Sequence, residues 1–257
     1  MSFVLLHGLG ADRAQPLGLF GPVLDSLGAG ADAVAAPDVR AHGASDRLGG
    51  PSDFVLDRLA DDVAAAARGA VGVAGPVTLV GISMGAAIGL RICLRELLPV
   101  ERAVFVRPAF GDRSLPRNLR PFPVIGELLR EFGPGEGAER FRRTEPYSRV
   151  ASESPAGGRG LLSQFASPDA ARRAIRLVEI PRNRAFGSDA ELARLAARGI
   201  RSLVVGAPRD PVHPFALAER WAGGLGAPLE RVPARDDGQA AQTAAMRDAV
   251  GAFLSRR

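Results

Sequence analysis

Ser83 stands at the centre of Gly81-Ile82-Ser83-Met84-Gly85, a G-x-S-x-G pattern whose chemistry is nucleophilic attack. A serine hydroxyl becomes a useful nucleophile when a base takes its proton and amide donors hold the oxyanion that forms. The two glycines allow a turn so tight that a Cβ at either place would clash with a neighbouring element. Such a turn lifts the hydroxyl clear of the sheet edge and leaves the Met84 amide free for an oxyanion. Ahead of it, Pro76-Val77-Thr78-Leu79-Val80 is a short apolar run with β-branched residues. After it, Ala86 to Leu94 reads as a helix of small and apolar residues. Strand, turn and helix in that order make a nucleophile elbow.

The other reactive side chains are few. Cys93 falls in the helix after the elbow and reads as a buried structural thiol; as the single cysteine it excludes an intramolecular disulfide. With one cysteine and three histidines no metal-ligand cluster is visible. Neither a metal nor a cofactor is expected.

The elements that must position Ser83 alternate between strand and helix. Ser2 to Leu6 is an unbroken apolar strand ending in His7-Gly8-Leu9-Gly10, and a helix over 16–28 follows. Ala33 to Pro37 is a second strand, leading into Asp38-Val39-Arg40-Ala41-His42-Gly43-Ala44-Ser45-Asp46. A helix over 53–68 precedes the elbow, and Arg102 to Val106 is a strand after it. From about 108 to 198 the texture changes. Pro116, Pro121, Pro123, Gly133-Pro134-Gly135, Pro155 and Gly157-Gly158 separate short amphipathic stretches, with helix expected over Pro123–Phe132 and Ser167–Leu177. The alternation resumes with helix over Glu191–Ala197, a strand from Ile200 to Val205, a helix around 214–223, a strand Leu229–Val232 and a last helix from Ala240 to Leu254. Such alternation implies a parallel sheet with right-handed crossovers.

On these motifs the chain resembles the α/β-hydrolases, over Ser2 to Pro108 and Ile200 to Leu254. The resemblance implies an α/β-hydrolase fold, with a mostly parallel sheet of about six strands flanked by helices. Residues 1–107 and 199–257 would form the core and 108–198 a mainly helical cap. It makes Ser83 the nucleophile, Asp210 the acid after a late strand, and the Leu9 and Met84 amides the oxyanion hole. Asp38 to Asp46 is similar to the family's D-x-R-G-H-G-x-S-D loop, with Ala41 for the first glycine. His7 and His42 then read as loop-bracing residues. His213, between Pro211 and Pro214, reads as a loop residue near the mouth of the site.

One departure governs the function. The family places its catalytic histidine after the last strand, yet from Pro233 to Arg257 there is none. Gln239 and Gln242 occupy the region. Both precede Met246 on a helix whose apolar face is Met246, Val250 and Phe253, so both are expected to face the sheet edge. Gln239 follows a glycine, while the continuous register favours Gln242. A glutamine amide has no basic nitrogen near neutral pH and cannot take the Ser83 proton. Three readings follow. One is a serine hydrolase of esters, lactones or thioesters whose base is His213 or His42 swung into place. Another is a hydrolase impaired by replacement of histidine by Gln242 or Gln239. The third is a non-hydrolytic lyase, cyclase or ligand-binding protein that uses the oxyanion hole and pocket. Serine at the elbow disfavours an epoxide hydrolase or dehalogenase, whose resembling families carry aspartate there.

Composition narrows the partners. A chain of 257 residues with 46% hydrophobic content suits one large domain with a substantial core. No run approaches the ~20 apolar residues of a membrane span, and the N-terminus lacks the basic region of a signal peptide, so a cytoplasmic protein is expected. The net charge of +5 comes entirely from arginine, scattered among 28 acids, in the pattern of a high-GC coding bias rather than a nucleic-acid patch. A small-molecule substrate is expected, with neither nucleic acid nor membrane as partner, and nothing sets the oligomeric state. Arg107, Arg120, Arg142 and Arg143 could meet an acidic substrate, although solvated surface arginines are the commoner case.

Overall fold

Short apolar runs bounded by glycine and proline become the strands of one parallel sheet. The computed structural model describes residues 2–72 and 75–256. In its first half lie β1 (Ser2–Leu6), α1 (Ala14–Ser26), β2 (Val34–Ala35), α2 (Leu56–Val71), β3 (Val77–Ile82), α3 (Met84–Leu94) and β4 (Val100–Val106). Helices α4 (Pro121–Phe141), α5 (Glu145–Glu153), α6 (Pro155–Leu162), α7 (Ile175–Glu179) and α8 (Asp189–Ala197) follow. The chain closes with β5 (Arg201–Gly206), α9 (Phe215–Leu225), β6 (Leu229–Arg231) and α10 (Gln239–Ser255).

The six strands lie in the order β2-β1-β3-β4-β5-β6, and every pairing is parallel. The chain runs outward from β1 to β2, then returns past β1 to build the other side. That reversal opens a crevice at the carboxyl ends of β1 and β3, where open α/β sheets bind ligands. Leu6 pairs with Gly81 and Ile82 with Val106, so the turns after β1, β3 and β4 emerge side by side.

Both faces of the sheet are covered, which is why its strands are apolar without alternation. On one face Val4, Leu6, Leu79, Phe105 and Val204 join α2, α3, α9 and apolar residues of the 108–198 segment in one cluster. On the other, Phe3, Leu5, Val80, Val104 and Val205 pack against Phe20 and Leu24 of α1 and Met246, Val250 and Leu254 of α10. Each fully buried Leu, Val or Phe contributes about 1.5–3 kcal/mol against exposure. Gln242 stands one turn before Met246 on the buried stripe and is fully buried. Gln239 is exposed, so only one of the two glutamines expected at the sheet edge is there.

Among the described residues no strand lies between Val106 and Arg201. The helix expected over Ser167–Leu177 is instead a series of turns, with α7 starting only at Ile175. Prolines that read as punctuation open helices: Pro121 begins α4 and Pro155 begins α6, where a missing N–H costs nothing. Ser154 caps α6 by accepting the Gly157 amide at 2.9 Å. A Cβ on Gly158 would come within 2.9 Å of Ala151 Cβ, so the glycine lets α6 lie against α5.

Candidate active site

The elbow is built as its glycines require. Ser83 adopts φ 54° and ψ −107° at the start of α3, a strained conformation for a residue with a Cβ. A Cβ on Gly81 would meet the Gly85 carbonyl at 2.4 Å, and one on Gly85 would meet the Leu6 carbonyl at 2.4 Å. The Ser83 amide is tied to Val106 O at 2.9 Å. The strain is therefore held by close packing against β1 and hydrogen bonding to β4. Met84 is the first residue of α3, so its N–H is among those a helix leaves without an internal acceptor.

The turn after β1 faces the elbow. Gly8 O accepts the Ala11 amide at 3.1 Å across Leu9 and Gly10, and the Gly8 amide donates to Gln15 Oε1 at 2.8 Å. His7 braces it. Its Nε2 accepts the Val39 amide at 3.0 Å, which leaves Nδ1 to donate to Gly8 O at 2.9 Å. Burial holds the His7 pKa below its ordinary value, so the ring stays neutral in this role. His42 is fully buried with Nδ1 on Arg40 O at 2.8 Å. Burial, then the neighbouring His7 and Arg176, push its pKa well down. Both are loop-bracing residues, and His42 does not reach Ser83.

His213 does. Its Nε2 lies 3.0 Å from Ser83 Oγ, and its Nδ1 lies 3.0 Å from Asp210 Oδ2. Asp210 shapes their shared loop by accepting the Val212 and His213 amides on Oδ1 at 3.1 and 3.0 Å. With Nδ1–H directed at the carboxylate, Nε2 presents its lone pair to the serine hydroxyl. Burial works to raise the Asp210 pKa, but His213, Arg107 and the hydrogen bonds hold it well below the carboxylate range. For His213, burial dominates and lowers the pKa, Asp210 opposes it, and Arg107 and Arg235 add to the lowering. At neutral pH the arrangement is an ionised carboxylate, a neutral imidazole and a serine in line. It can accept a proton from Ser83 and return it.

The expectation that a glutamine stands where the base should be is corrected by these positions. Gln242 Nε2 donates to Pro233 O at 2.9 Å, buried beneath the loop. Gln239 Oε1 accepts from Arg235 Nε at 2.7 Å. Neither touches Ser83. His213 lies on a loop that lines the cavity, and its ring also completes the hydrogen-bond chain from Asp210 to Ser83, the contact that the first of the three readings required. The signal was available in the spacing: Asp210-Pro211-Val212-His213 puts both groups on one short loop at a strand's carboxyl end.

Arg107 has a closer role than a surface arginine. Emerging from β4 with φ 49°, its Nη2 donates to Asp210 Oδ2 at 2.7 Å and lies 2.9 Å from His213 Nδ1. Arg120, Arg142 and Arg143 are exposed, and Arg142 pairs with Glu139 at 2.6 Å. Cys93 is buried, its thiol pushed up to about 12 by burial, as an inert core residue should be.

A cavity of about 250 Å³ opens over Ser83 and His213. Phe110, Leu119, Phe122 and Leu161 supply apolar wall, and Leu9 and Gly10 also line it. Gln164 also lines it, and its buried Oε1 has no hydrogen-bond partner among the described residues. Among these residues no group of three or more His, Cys, Asp or Glu side chains could hold a metal ion. No helix among them is long and apolar enough to cross a membrane.

A parallel sheet with a serine elbow at its reversal point defines a class, the α/β-hydrolase fold. The chain belongs to the alpha/beta hydrolase family, whose model matches residues 3–249. A search of curated proteins found no match. Solved structures are similar over nearly the whole chain. A hydrolase from Pseudomonas aeruginosa PA01 is 22% identical with TM-score 0.69, covering 98% of this chain and 89% of that one. An enol-lactonase from Burkholderia xenovorans LB400 is 22% identical with TM-score 0.66, over 99% and 91%. An esterase from Thermogutta terrifontis is 21% identical with TM-score 0.66, over 98% and 90%. At these identities the likeness speaks for the fold.

Proposed function

We propose that this hydrolase is a serine esterase, acting on a carboxylic ester or lactone with Ser83 as nucleophile, His213 as base and Asp210 as the orienting acid. The observation that carries the reading is the unbroken hydrogen-bond chain Asp210–His213–Ser83, with two contacts of 3.0 Å. Ser83 Oγ attacks the carbonyl carbon while its proton passes to His213 Nε2. The Leu9 and Met84 amides hold the oxyanion. Collapse expels the alcohol, protonated by His213, and leaves an acyl-Ser83 ester. Water, deprotonated by the same imidazole, then attacks that ester to release the acid and restore Ser83. The 108–198 segment acts as a cap, since Leu119, Phe122 and Leu161 from it form much of the cavity wall. The esterase and lactonase named among similar structures agree with this reaction class. The position of His213 beside Ser83 favours this reading over the lyase or ligand-binding one.

The test is fluorophosphonate labelling followed by peptide mapping, beside aryl-ester hydrolysis. Label is expected on Ser83 in the wild type. Labelling and turnover are expected to be lost in Ser83→Ala and to fall by orders of magnitude in His213→Ala. Absence of label and turnover in the wild type would refute the assignment.

A further inference from the structure

We propose that the cavity selects esters carrying a carboxylate away from the scissile bond, and that Arg235 is the residue that recognises it. The proposal deepens the reading of the cavity as the substrate site around Ser83. Three guanidinium groups line this cavity, those of Arg107, Arg209 and Arg235, against the single carboxylate of Asp210. Two already have acid partners. Arg107 holds Asp210 at 2.7 Å, and Arg209 pairs with Asp237. Arg235 differs. Its Nε donates at 2.7 Å to the neutral Oε1 of Gln239, and among the described residues it forms no ion pair with a carboxylate. Its two Nη groups are therefore free to form the two-pronged contact that a planar carboxylate accepts.

The surroundings leave room for that contact. Gly160 faces the guanidinium, and a Cβ there would stand only 3.2 Å from Arg235 Nη1. A second cavity of about 290 Å³ is also bordered by Arg235, with Arg107, Gln15, Gln239 and Thr243. It shares Arg107 and Arg235 with the catalytic cavity, so an anion between them would meet cations and amide groups. Burial and then the like charge of Arg107 push the Arg235 pKa down, against the opposing charges of Asp210 and Asp236; a bound anion would add to that opposition. A cleft with excess positive charge also raises the local concentration of anionic substrate. The substrates implied are half-esters of short dicarboxylic acids, or lactones bearing a free acid.

Binding can be read without turnover. Ser83→Ala protein would be titrated calorimetrically with monomethyl glutarate, monomethyl adipate and the neutral methyl pentanoate. At least one half-ester should bind tenfold or more tightly than the neutral ester. Adding Arg235→Gln should remove that preference, Arg235→Lys should restore part of it, and Arg142→Gln, a remote loss of the same charge, should leave it intact. Equal binding of charged and neutral esters would overturn the proposal. So would a preference that survives Arg235→Gln, or one that Arg142→Gln erodes equally. In wild-type protein, the ratio of kcat/KM for 4-nitrophenyl glutarate half-ester over 4-nitrophenyl pentanoate should fall at least tenfold with Arg235→Gln. If wild-type protein hydrolyses neither ester but Ser83→Ala keeps the Arg235-dependent preference, the Ser83 assignment fails and the carboxylate site stands. Turnover without the preference would keep Ser83 as nucleophile and overturn the carboxylate site.

Discussion

The loops after β5 and β6 lie side by side at the carboxyl edge of the sheet and divide the work unequally. The first, Gly206 to Pro214, carries both the carboxylate and the imidazole of the proposed triad, three residues apart. The second, Val232 to Gln239, carries a cation and leads into the two glutamines at or near the place where the family resemblance puts a histidine. The hydrogen-bond relation proposed for catalysis is nevertheless present, because that chemistry requires an imidazole between carboxylate and hydroxyl and not a particular chain position. Asp210 makes the arrangement local. Its Oδ1 ties down the backbone of the residue whose ring its Oδ2 orients. The second loop presents Arg235 to the cavity.

The largest expected effects break this comparison if it is mistaken. His213→Ala should lower kcat for aryl-ester hydrolysis on the order of 10⁴–10⁶-fold, as loss of a triad base does elsewhere. Gln242→His should change it by less than about threefold, since that side chain is buried on Pro233 O and does not face Ser83. The reverse result, with His213 dispensable and Gln242→His activating, would return the base to the second loop. Asp210→Asn should cost on the order of 10⁴-fold in kcat by removing the group that fixes the imidazole tautomer. Its loss should also leave Arg107 as an uncompensated cation beside that ring.

The legible part of this molecule was whatever local sequence pattern controls. Gly81 and Gly85 declare a turn that excludes a Cβ, and apolar runs without alternation declare a sheet covered on both faces. The strands and the elbow were accessible in this way, whereas Asp210 was singled out by the family resemblance. The base was less legible: chain order pointed to the second loop, and His213 stood only as one of two histidines that would have to swing to Ser83, whereas its ring lies 3.0 Å from Ser83 Oγ. Of three histidines, His7 and His42 had bracing roles, which left His213 three residues from the acid. Within the mainly helical 108–198 segment, α6 was not legible for another reason: Pro155 and Gly157-Gly158 break helices in isolation. Here Pro155 occupies a first turn, and Gly158 permits contact with α5, which only tertiary packing reveals.

Arg107 tests the first loop through pH. The proposed mechanism needs His213 neutral, and its pKa is held below the ordinary value of 6.5, chiefly by burial. Wild-type kcat/KM should therefore be level through neutral pH and fall only on the acid side of 6.5. Arg107→Gln removes a cation 2.9 Å from Nδ1 and leaves the charge of Asp210 wholly to the imidazole. Both changes favour imidazolium, so the acid limb of the profile should move to higher pH. Activity at pH 6 relative to pH 8 would drop more in the variant than in the wild type. Arg107→Lys should keep most of the wild-type profile. An unshifted limb in Arg107→Gln, with kcat merely lowered, would mean that Arg107 only holds the loop in place.

The smallest expected effect on activity concerns Gln242, at the position where the family resemblance would put the base. Its Nε2 satisfies the Pro233 carbonyl at 2.9 Å, while its buried Oε1 has no partner among the described residues. The side chain therefore gains one hydrogen bond and bears the cost of an unpaired acceptor, a balance that adds little net stability. Gln242→Ala removes the donor, leaves Pro233 O unpaired and opens a void beside Met246, at a cost of about 1–3 kcal/mol. Gln242→Leu fills the void and removes the orphan oxygen, so it should cost less than the alanine variant. Urea unfolding should report that order, with kcat/KM within about twofold of wild type in both. A hundredfold loss of activity with unchanged stability would instead place Gln242 in the reaction. The contrast between the two loops would then have to be redrawn.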